Sequence, residues 1–260
     1  MSHPSSAVPA AFRLNGRRAL VTGSSRGIGA AIATALAEAG ADVVVHGFGD
    51  GEQAKSVAAQ IAALGARTGV VEADLGAADG ARRTYDGAVA LLGGIDILVL
   101  NASVQTRKPW LEFTRADIEQ QFAVNYRSSL ELLQLAAPGM TARKWGRILT
   151  LGSVQEARPH PDMLVYSSLK HAQTGLVLGL ARQFAPDGVT INNLAPGVIK
   201  TDRNTIALSD AVYAEQLRAA IPAGYFGEST DCAGAALLLC SEAGRYITGQ
   251  TLFVDGGLGF

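Results

Sequence analysis

Tyr166 and Lys170 are separated by four positions in the segment VYSSLKHA, residues 165–172. On a helix this spacing brings two side chains to the same face. A free tyrosine has a pKa of about 10, so proton transfer near neutral pH requires about 4 kcal/mol of phenolate stabilisation. An ammonium group roughly 4 Å away supplies an interaction of that size. The spacing therefore predicts that Lys170 lowers the pKa of the Tyr166 phenol so that it can donate and accept a proton.

A second group of residues with a chemical use is the glycine-rich segment VTGSSRGIGAA, which contains Gly23, Gly27 and Gly29. Glycines in such a turn let the backbone approach a diphosphate group closely. The helix that follows directs free N–H groups and the positive end of its dipole at the anion. An ordinary strand-to-helix turn also uses glycine, so the position after the first strand is what favours a nucleotide site.

These residues belong to a chain in which short β-rich segments alternate with Ala-rich helical ones. The predicted strands lie at 18–23, 42–47, 67–75, 94–103, 146–153, 188–197 and 250–257. The predicted helices lie at 27–40, 51–65, 77–92, 114–141, 164–185 and within 204–243. Strict alternation requires right-handed crossovers between parallel strands. The sequence thus predicts an α/β fold, a single doubly wound parallel seven-stranded sheet with helices on both faces.

The domain organisation follows from the lack of a linker, repeat or change of composition. Residues 14–260 are predicted to form one catalytic domain, with a substrate loop at about 202–227. Residues 1–13 lack the basic start and apolar centre of a signal peptide, so we expect a disordered lead. Thr114 followed by Asp117 predicts a capping pair at the start of the long helix.

The composition excludes several classes of function. Lys and Arg total 22 against 23 Asp and Glu, so no net field favours nucleic acid or an anionic membrane. Apolar runs fall short of the roughly 18 residues of a membrane span. The two cysteines, Cys232 and Cys240, lie in a helical region and predict free thiols in a reducing, cytoplasmic setting. Without a His/Cys cluster of ligand spacing, we expect no catalytic metal.

The glycine-rich loop and six further motifs, in order along the chain, resemble those of the short-chain dehydrogenase/reductase family. The spacing Gly-x-x-x-Gly-x-Gly of the first loop is that family's form. The later motifs keep its order and are Asp74-Leu75, Asn101-Ala102-Ser103, Asn125, Ser153, Tyr166 with Lys170, and PGVIKT at 196–201. The resemblance runs from about residue 16 to the C-terminus. It implies a Rossmann-type oxidoreductase that transfers a hydride between a nicotinamide coenzyme and a small-molecule carbonyl compound or secondary alcohol.

The resemblance assigns four catalytic roles. Tyr166 would be the general acid in carbonyl reduction and the general base in alcohol oxidation, and Lys170 would also bind the nicotinamide ribose hydroxyls. Ser153 would hold the substrate oxygen and stabilise developing negative charge. Asn125 would hold a water that links Lys170 to solvent. From the residues alone, Ser153 can also be a helix or turn cap, and Asn125 is better explained as a buried polar residue bonded to a neighbouring helix; the other motifs favour the catalytic role.

The resemblance also implies a set of coenzyme-binding residues at the carboxyl ends of the strands. Asp74 would face the adenine edge, Asn101 the adenosine ribose, and Thr201 with the carbonyl near Pro196 the carboxamide. Ser103 replaces a glycine of the family and narrows the space near the ribose. The full set is Gly23, Ser25, Arg26, Gly27, Ile28, Gly29, Asp74, Leu75, Asn101, Ala102, Tyr166, Lys170, Pro196, Gly197, Ile199 and Thr201.

The end of the second strand indicates which coenzyme is used. An acidic side chain there accepts a hydrogen bond from the adenosine ribose and repels a 2′-phosphate. Gly47 stands at that position, and Arg26 matches a basic residue common in NADP-preferring relatives, so we expect NADP(H), with NAD(H) as the alternative. Phe48 stands where NADP-preferring relatives often have a second basic residue, and its presence favours NAD(H). His46 either ends a strand or touches the phosphate.

Substrate specificity is expected from segments outside these motifs, at 104–112, 154–163 and 202–227. Their polar and apolar candidates are Gln105, Arg107, Gln155, His160, Met163, Arg203 and Tyr225. Arg107 and Arg203 would attract an anionic or phosphopantetheine-bearing substrate, or are solvated loop charges. The chain resembles both β-ketoacyl-carrier-protein (3-oxoacyl-carrier-protein) reductases and sugar or polyol dehydrogenases of the gluconate type. The signs of NADPH use favour the reductase.

Two further expectations concern rival functions and assembly. A dinucleotide-binding protein without catalysis would have no reason to keep Asn125, Ser153, Tyr166 and Lys170 together. Relatives are mostly tetramers that pair through the two long helices, so the resemblance implies a homotetramer. The apolar segment GLVLGLA at 175–181 suits such a contact, but core packing explains the same pattern.

Overall fold

Seven parallel strands form one sheet at the centre of the protein. The computed structural model describes residues 9–260, apart from the side chains of residues 206 and 207. Within that part the strands are β1 (Arg18–Val21), β2 (Asp42–Gly47), β3 (Thr68–Glu72), β4 (Ile97–Leu100), β5 (Gly146–Leu151), β6 (Val189–Pro196) and β7 (Thr251–Val254). Their order across the sheet is β3-β2-β1-β4-β5-β6-β7, and each neighbouring pair is parallel. The predicted doubly wound sheet is confirmed.

Helices cover both faces of the sheet. They are α1 (Gly27–Glu38), α2 (Gly51–Ala63), α3 (Gly80–Leu92), α4 (Arg115–Phe122), α5 (Ser128–Ala142), α6 (Leu164–Phe184), α7 (Asp202–Ser209), α8 (Ala211–Ala219) and α9 (Ser229–Cys240). Side chains of α1, α2 and α9 pack in one apolar cluster, and those of α3, α5 and α6 pack in a second. Successive strand residues alternate between the clusters because strand side chains alternate between faces. Val21 joins the first cluster and Leu20 the second.

Burial on both faces explains why β4, with the sequence ILVL, is a continuous apolar run. All four residues of β4 are buried, as are all six of β5 and all eight of β6. A strand covered by helices on both sides has no solvent-facing position for a polar residue. The sheet therefore provides a rigid base for the residues that follow each strand.

The long helix predicted at 114–141 is interrupted. After α4, residues Ala123–Arg127 form a π-helical turn, and only then does α5 begin. The start is as predicted, because Thr114 and Asp117 make a reciprocal capping box. Single π-helical turns often mark functional positions, and this one contains Asn125.

The predicted N-terminal lead is only partly covered by the structure. Residues 1–8 lie outside the described residues. Ala10–Phe12 form a 3₁₀ turn, so the prediction of disorder up to residue 13 was wrong for this part. Leu14, the first residue of the predicted domain, is buried, and its N–H donates to the Ala39 carbonyl at the end of α1.

The parallel arrangement places the carboxyl ends of the strands along one edge of the sheet. The winding direction reverses between β1 and β4, where a crevice opens in folds of this class. No helix among the described residues is both long enough and apolar enough to cross a membrane.

Candidate active site

One large cleft of about 1030 Å³ lies at the carboxyl edge of the sheet. It is lined by every predicted site residue except Asn125. Those residues are Gly23, Ser25, Arg26, Gly27, Ile28, Gly29, Asp74, Leu75, Asn101, Ala102, Ser153, Tyr166, Lys170, Pro196, Gly197, Ile199 and Thr201. They lie at the carboxyl ends of five different strands, in the loops that follow, or on the first turns of the next helices, so it is the sheet that brings them together.

The glycine-rich loop forms a concave backbone surface, and side chains at two of its glycine positions would collide with neighbouring backbone atoms. A Cβ atom at Gly23 would lie 2.9 Å from the Ala102 Cα atom, and one at Gly29 would lie 2.4 Å from the Gly23 carbonyl oxygen. Gly23 also has a positive φ of 62°, which L side chains rarely adopt. Helix α1 begins at Gly27 without a side-chain cap, so its first N–H groups are available to an anion.

The side chains of His46 and Asn101 hold this loop in place through hydrogen bonds to its backbone. The His46 Nδ1 atom accepts the Gly23 N–H at 3.1 Å, so its Nε2 atom donates to the Ala73 carbonyl at 3.2 Å. Burial lowers the pKa of His46 to about 4, and a neutral ring is not a charge partner for phosphate. The Asn101 Nδ2 atom donates to the Thr22 and Gly23 carbonyls, each at 2.8 Å, and so joins the ends of β4 and β1.

The end of β2 differs from what the sequence indicated. Gly47 carries no acid, but the Asp50 carboxylate turns back over it, and a Cβ atom at Gly47 would lie 2.3 Å from Asp50 Oδ1. Asp50 is the N-cap residue of α2 yet makes no capping bond there; its Oδ2 atom accepts the Ser25 hydroxyl instead. The buried Oδ1 atom has no hydrogen-bond partner among the described residues.

Arg26 is therefore not a free cation at this end of the cleft. Its guanidinium lies 4.0 Å from Asp50 Oδ2 and 3.9 Å from Asp202 Oδ2. Gly47 itself carries no acid, but Asp50 was not foreseen. A loop residue places a carboxylate in the space that the glycine leaves.

Ser153, Tyr166 and Lys170 meet at the other end of the cleft. Ser153 follows β5 by two residues, and the other two lie on the first turns of α6. The Lys170 Nζ atom donates to the Leu151 carbonyl and lies 5.4 Å from the centre of the Tyr166 ring. Tyr166 is 5% exposed and Lys170 is 1% exposed, although both line the cleft. Ser153 Oγ also accepts the Gln155 N–H at 3.2 Å, so the predicted cap exists beside any catalytic role.

The predicted effect of Lys170 on the Tyr166 phenol was wrong in this structure. Burial raises the pKa of Tyr166, and the cation that acts against this rise is Arg203. Burial also lowers the pKa of Lys170, to about 7. The ammonium is directed at the Leu151 carbonyl and suffers its own desolvation, so it does not lower the phenol pKa as its spacing suggested.

Arg203 is held beside this pair by Ser103, the residue that replaces the family's glycine. Its two terminal nitrogens donate to the Ser103 hydroxyl at 3.0 Å and to the Ser103 carbonyl at 2.7 Å. The hydroxyls of Ser103 and Ser153 also act to lower the pKa of Tyr166. Ser103, which was expected to narrow the space near the ribose, thus also fixes the positive charge of Arg203 there.

Asn125 lies apart from the cleft lining. Its side-chain oxygen accepts the Val104 N–H, and its nitrogen donates to the Val104 carbonyl, both at 2.8 Å. The side chain of Asn125 therefore matches the alternative prediction of a buried polar residue whose polar atoms form hydrogen bonds within the protein. Its partner is a loop and not a neighbouring helix. The proposed water relay through Asn125 stays a prediction.

The predicted specificity residues line the outer part of the same cleft, with one exception. Those that do are Gln105, Arg107, Gln155, His160, Met163 and Arg203. Tyr225 is exposed and lies outside this lining. The Arg107 guanidinium lies 2.9 Å from His160 Nε2 and 5.5 Å from the Tyr213 ring centre. Burial, and then the nearby Arg107, lower the pKa of His160.

Two carboxylates were missed by the sequence analysis, Asp50 and Glu156. The position of Asp50 depends on the turn at Phe48–Gly49, which no motif predicts. Glu156 did leave a signal, because Ser153 and Glu156 have the spacing of a capping box, and the structure contains that box.

Comparison with known proteins agrees with this geometry. A family model described as "Enoyl-(Acyl carrier protein) reductase" matches residues 23–259. The chain is 38% identical over 251 residues to the 3-oxoacyl-[acyl-carrier-protein] reductase FabG of Aquifex aeolicus, which covers 95% of this chain and 99% of that protein. It is 36% identical over 261 residues to the gluconate 5-dehydrogenase of Gluconobacter oxydans, which covers 99% of this chain and 98% of that one.

A solved structure shows the same fold over nearly the whole chain. It is a 3-oxoacyl (acyl-carrier-protein) reductase from Agrobacterium tumefaciens C58 with NADP bound, with a TM-score of 0.92 and 41% identity, covering 97% of this chain and 98% of that one. The prediction of NADP(H) agrees with the NADP that similar solved structures hold. The chain belongs to the short-chain dehydrogenase/reductase family and is an NAD(P)-dependent oxidoreductase.

Proposed function

We propose that the protein is an NADPH-dependent reductase that converts the ketone of a 3-oxoacyl thioester to a secondary alcohol. The observation that carries this proposal is the meeting of Ser153, Tyr166 and Lys170 in the same cleft as the glycine-rich loop. The FabG relative from Aquifex aeolicus and the NADP-bound reductase from Agrobacterium tumefaciens support the substrate class and the coenzyme.

The chain's own residues fit a dinucleotide. The concave backbone surface at Gly23 and Gly29 leaves no room for side chains, as a closely approaching diphosphate requires. The first N–H groups of α1 supply positive charge, and the Arg26 guanidinium lies at the same end of the cleft, paired with Asp50 and Asp202. Leu75, Ala102 and Ile199 give apolar walls, and Thr201 with Pro196 would hold the carboxamide. When bound, the coenzyme supplies the hydride that the carbonyl carbon receives.

Tyr166 supplies the proton that completes the reduction. Its raised pKa keeps the phenol protonated at neutral pH, which suits a general acid. The proton moves from the Tyr166 hydroxyl to the carbonyl oxygen as the carbon gains the hydride, giving a neutral alcohol and a phenolate. Arg203, Ser153 and Ser103 all stabilise that phenolate, because each acts to lower the phenol pKa.

Ser153 and Lys170 complete the catalytic group. The Ser153 hydroxyl would donate to the substrate oxygen and stabilise the charge that develops there. Lys170 would hold the ribose hydroxyls and restore the proton to Tyr166. A lysine with a pKa of about 7 exchanges protons readily near neutral pH, which suits this second task.

A screen of substrates with both coenzymes tests this function. NADPH oxidation would be measured with a 3-oxoacyl thioester, simple ketones, and keto-gluconates, each repeated with NADH. The proposal expects the highest kcat/KM with NADPH and the thioester, and loss of turnover in the Tyr166→Phe variant. A higher kcat/KM for any non-thioester ketone would overturn the proposed substrate class, and a preference for NADH would overturn the proposed coenzyme.

A second candidate is a gluconate-type dehydrogenase. Arg107 and Arg203 place two guanidinium groups in the outer part of the cleft, where they suit the carboxylate of a sugar acid. The Gluconobacter oxydans relative acts as a gluconate 5-dehydrogenase. In the screen above, reduction of a keto-gluconate by NADPH at a higher kcat/KM than reduction of the thioester would select this function.

We also propose a homotetramer that pairs through α4, α5 and α6. Apolar side chains on α4 and α6 are exposed, with Phe122 at 45% and Leu178 at 58%. A Cβ atom at Gly175 or Gly179 would meet no other atom of the described residues within 4 Å, so this face of α6 is open to another helix. Sedimentation analysis tests the assembly, and a monomer at micromolar concentration would contradict it.

A cytoplasmic location is proposed from the thiols. Cys232 and Cys240 are unpaired and buried, and burial raises the pKa of each to about 12. Such thiols suit a reducing compartment and form little reactive thiolate near neutral pH. Fractionation of the source cells would test this location.

A further inference from the structure

Glu156 carries a carboxylate that the proposed reaction leaves unexplained. Its Oε1 atom accepts the Ser153 N–H at 2.9 Å. Its Oε2 atom accepts the Thr174 hydroxyl at 2.8 Å and the Asn193 Nδ2 group at 2.9 Å. A Cβ atom at Gly152 would lie 2.0 Å from Oε1, so the preceding glycine provides the space that this carboxylate occupies.

The contacts of Glu156 reach three separate elements. Ser153 follows β5, Thr174 lies on α6 one turn after Lys170, and Asn193 lies on β6. Asn193 is itself fixed by the Thr150 hydroxyl of β5, which donates to its Oδ1 atom at 2.7 Å. A capping box explains the bond to Ser153 but not the two bonds to distant elements. Three donors on one carboxylate offset the cost of placing it in a partly buried position.

Glu156 also acts on both members of the Tyr166–Lys170 pair. Its negative charge raises the pKa of Tyr166 and raises the pKa of Lys170. Arg203, from α7, acts on both in the opposite direction. The remaining polar groups that act on the phenol are the hydroxyls of Ser103 and Ser153. The pair is thus flanked by one fixed charge of each sign.

We propose that Glu156 is a positioning residue for the reaction, which fixes Ser153 against the helix of Tyr166 and Lys170 and supplies a negative charge beside that pair. Only the expected effect of Glu156 on reaction rates rests on the proposed function. The contacts of Glu156 and the effect of its charge on Tyr166 and Lys170 are the same for any substrate that the cleft accepts.

The charge has a consequence of definite sign. Removing it stabilises the neutral lysine and the phenolate, so the pKa of both groups falls. Carbonyl reduction needs the protonated phenol. The rate of reduction falls as the phenol loses its proton, and in the variant this fall would begin at a lower pH than in the wild type. Alcohol oxidation needs the phenolate, so its onset would also move to lower pH. A merely structural role would lower the rate equally at every pH.

The most direct test is the titration of Lys170 by carbon-13 NMR of labelled lysine, because the chain has only five lysines. Lys170→Met assigns the signal, which is expected to titrate at about 7 in the wild-type protein. In Glu156→Gln the midpoint is expected at lower pH, and in Glu156→Asp it is expected to match the wild type. Glu119→Gln, an exposed charge paired with Arg115 on α4, is the control and should leave the midpoint unchanged.

The matching kinetic test is the pH dependence of kcat/KM with any accepted ketone. Glu156→Gln is expected to shift the profile to lower pH and to lower the rate roughly tenfold at neutral pH, with recovery in Glu156→Asp. Thr174→Val removes one bond without changing charge and should leave the profile in place.

An unchanged or raised midpoint in Glu156→Gln, or an aspartate variant that titrates like the glutamine one, overturns the inference. If Glu156→Gln does not fold, Glu156→Ser removes the same charge and is judged by the same criterion. The NMR measurement requires neither coenzyme nor substrate. A wrong substrate class would therefore leave the shift intact, while a wrong role for Glu156 would abolish it.

Discussion

The two ends of the cleft are built in different ways. The end that we propose as catalytic consists of Ser153, Tyr166 and Lys170, which lie at the end of a buried strand and on the first turns of a long helix. The end that we propose to bind adenosine consists of Arg26, Gly47 and Asp50, and its charges are placed by loops. The catalytic end should therefore control the rate of the chemical step, and the adenosine end should control which coenzyme binds.

The comparison explains which predictions were confirmed. Positions on regular elements can be located from spacing, so the strands, the capping box at Thr114 and the meeting of Tyr166 with Lys170 were all predicted. The position of Asp50 depends on a loop that folds back over Gly47, and spacing along the chain carries no such information.

Charge interactions were harder to predict than positions. The spacing of Tyr166 and Lys170 indicated a lowered phenol pKa, but it could not give the desolvation of either group or the orientation of the ammonium. Arg203 comes from a distant helix and is held by Ser103, so its effect on the phenol required the tertiary structure. The π-helical turn at Ala123–Arg127 was missed because its residues fit an α-helical pattern equally well.

The largest effect is expected at the catalytic end from Tyr166→Phe. Loss of the proton donor should lower kcat/KM about a thousandfold, within the usual range for general acid catalysis. The affinity for NADP⁺, measured by fluorescence titration, should change less than about threefold, because the adenosine end is untouched. Tyr246→Phe, at a 99% exposed tyrosine, is the matched control. A large loss of coenzyme affinity would show that the two ends are not separable.

Ser153→Ala should have the next largest effect on rate. The loss of a hydroxyl that stabilises the substrate oxygen is expected to lower kcat about a hundredfold. Ser168→Ala, at an exposed serine whose hydroxyl donates to the Leu164 carbonyl of its own helix, should leave kcat unchanged. Steady-state kinetics of both variants make the test, and equal kcat in Ser153→Ala and the wild type would remove Ser153 from the mechanism.

Lys170 should link stability to pH at the catalytic end. Its folded pKa of about 7 lies below the unfolded value of 10.5, so the unfolded chain binds an additional proton between these values. The free energy of unfolding should therefore rise with pH above about 7, by up to about 1.4 kcal/mol per pH unit, relative to Lys170→Met. Urea titrations of both proteins at several pH values measure this difference. A difference that is constant or falls with pH would contradict the lowered pKa.

Asp50→Asn should give a smaller change, confined to the adenosine end. A carboxylate beside the 2′-phosphate is repulsive by about 1 kcal/mol in a well-solvated site. The Kd for NADP⁺ should therefore fall roughly fivefold relative to that for NAD⁺, with kcat little changed. Calorimetric titration with both coenzymes measures the ratio. Glu52→Gln removes an equal charge two residues away, where the side chain is 89% exposed, and should leave the ratio unchanged.

The central claim is that hydride and proton reach one carbonyl group at the catalytic end, and isotope transfer tests it most directly. NADPH carrying deuterium at both C4 positions would be reacted with the best ketone of the screen, and the alcohol would be analysed by mass spectrometry. We expect one deuterium on the former carbonyl carbon with the wild-type enzyme and almost no product with Tyr166→Phe. An alcohol without deuterium, or labelled product formed at the wild-type rate by Tyr166→Phe, would contradict this account.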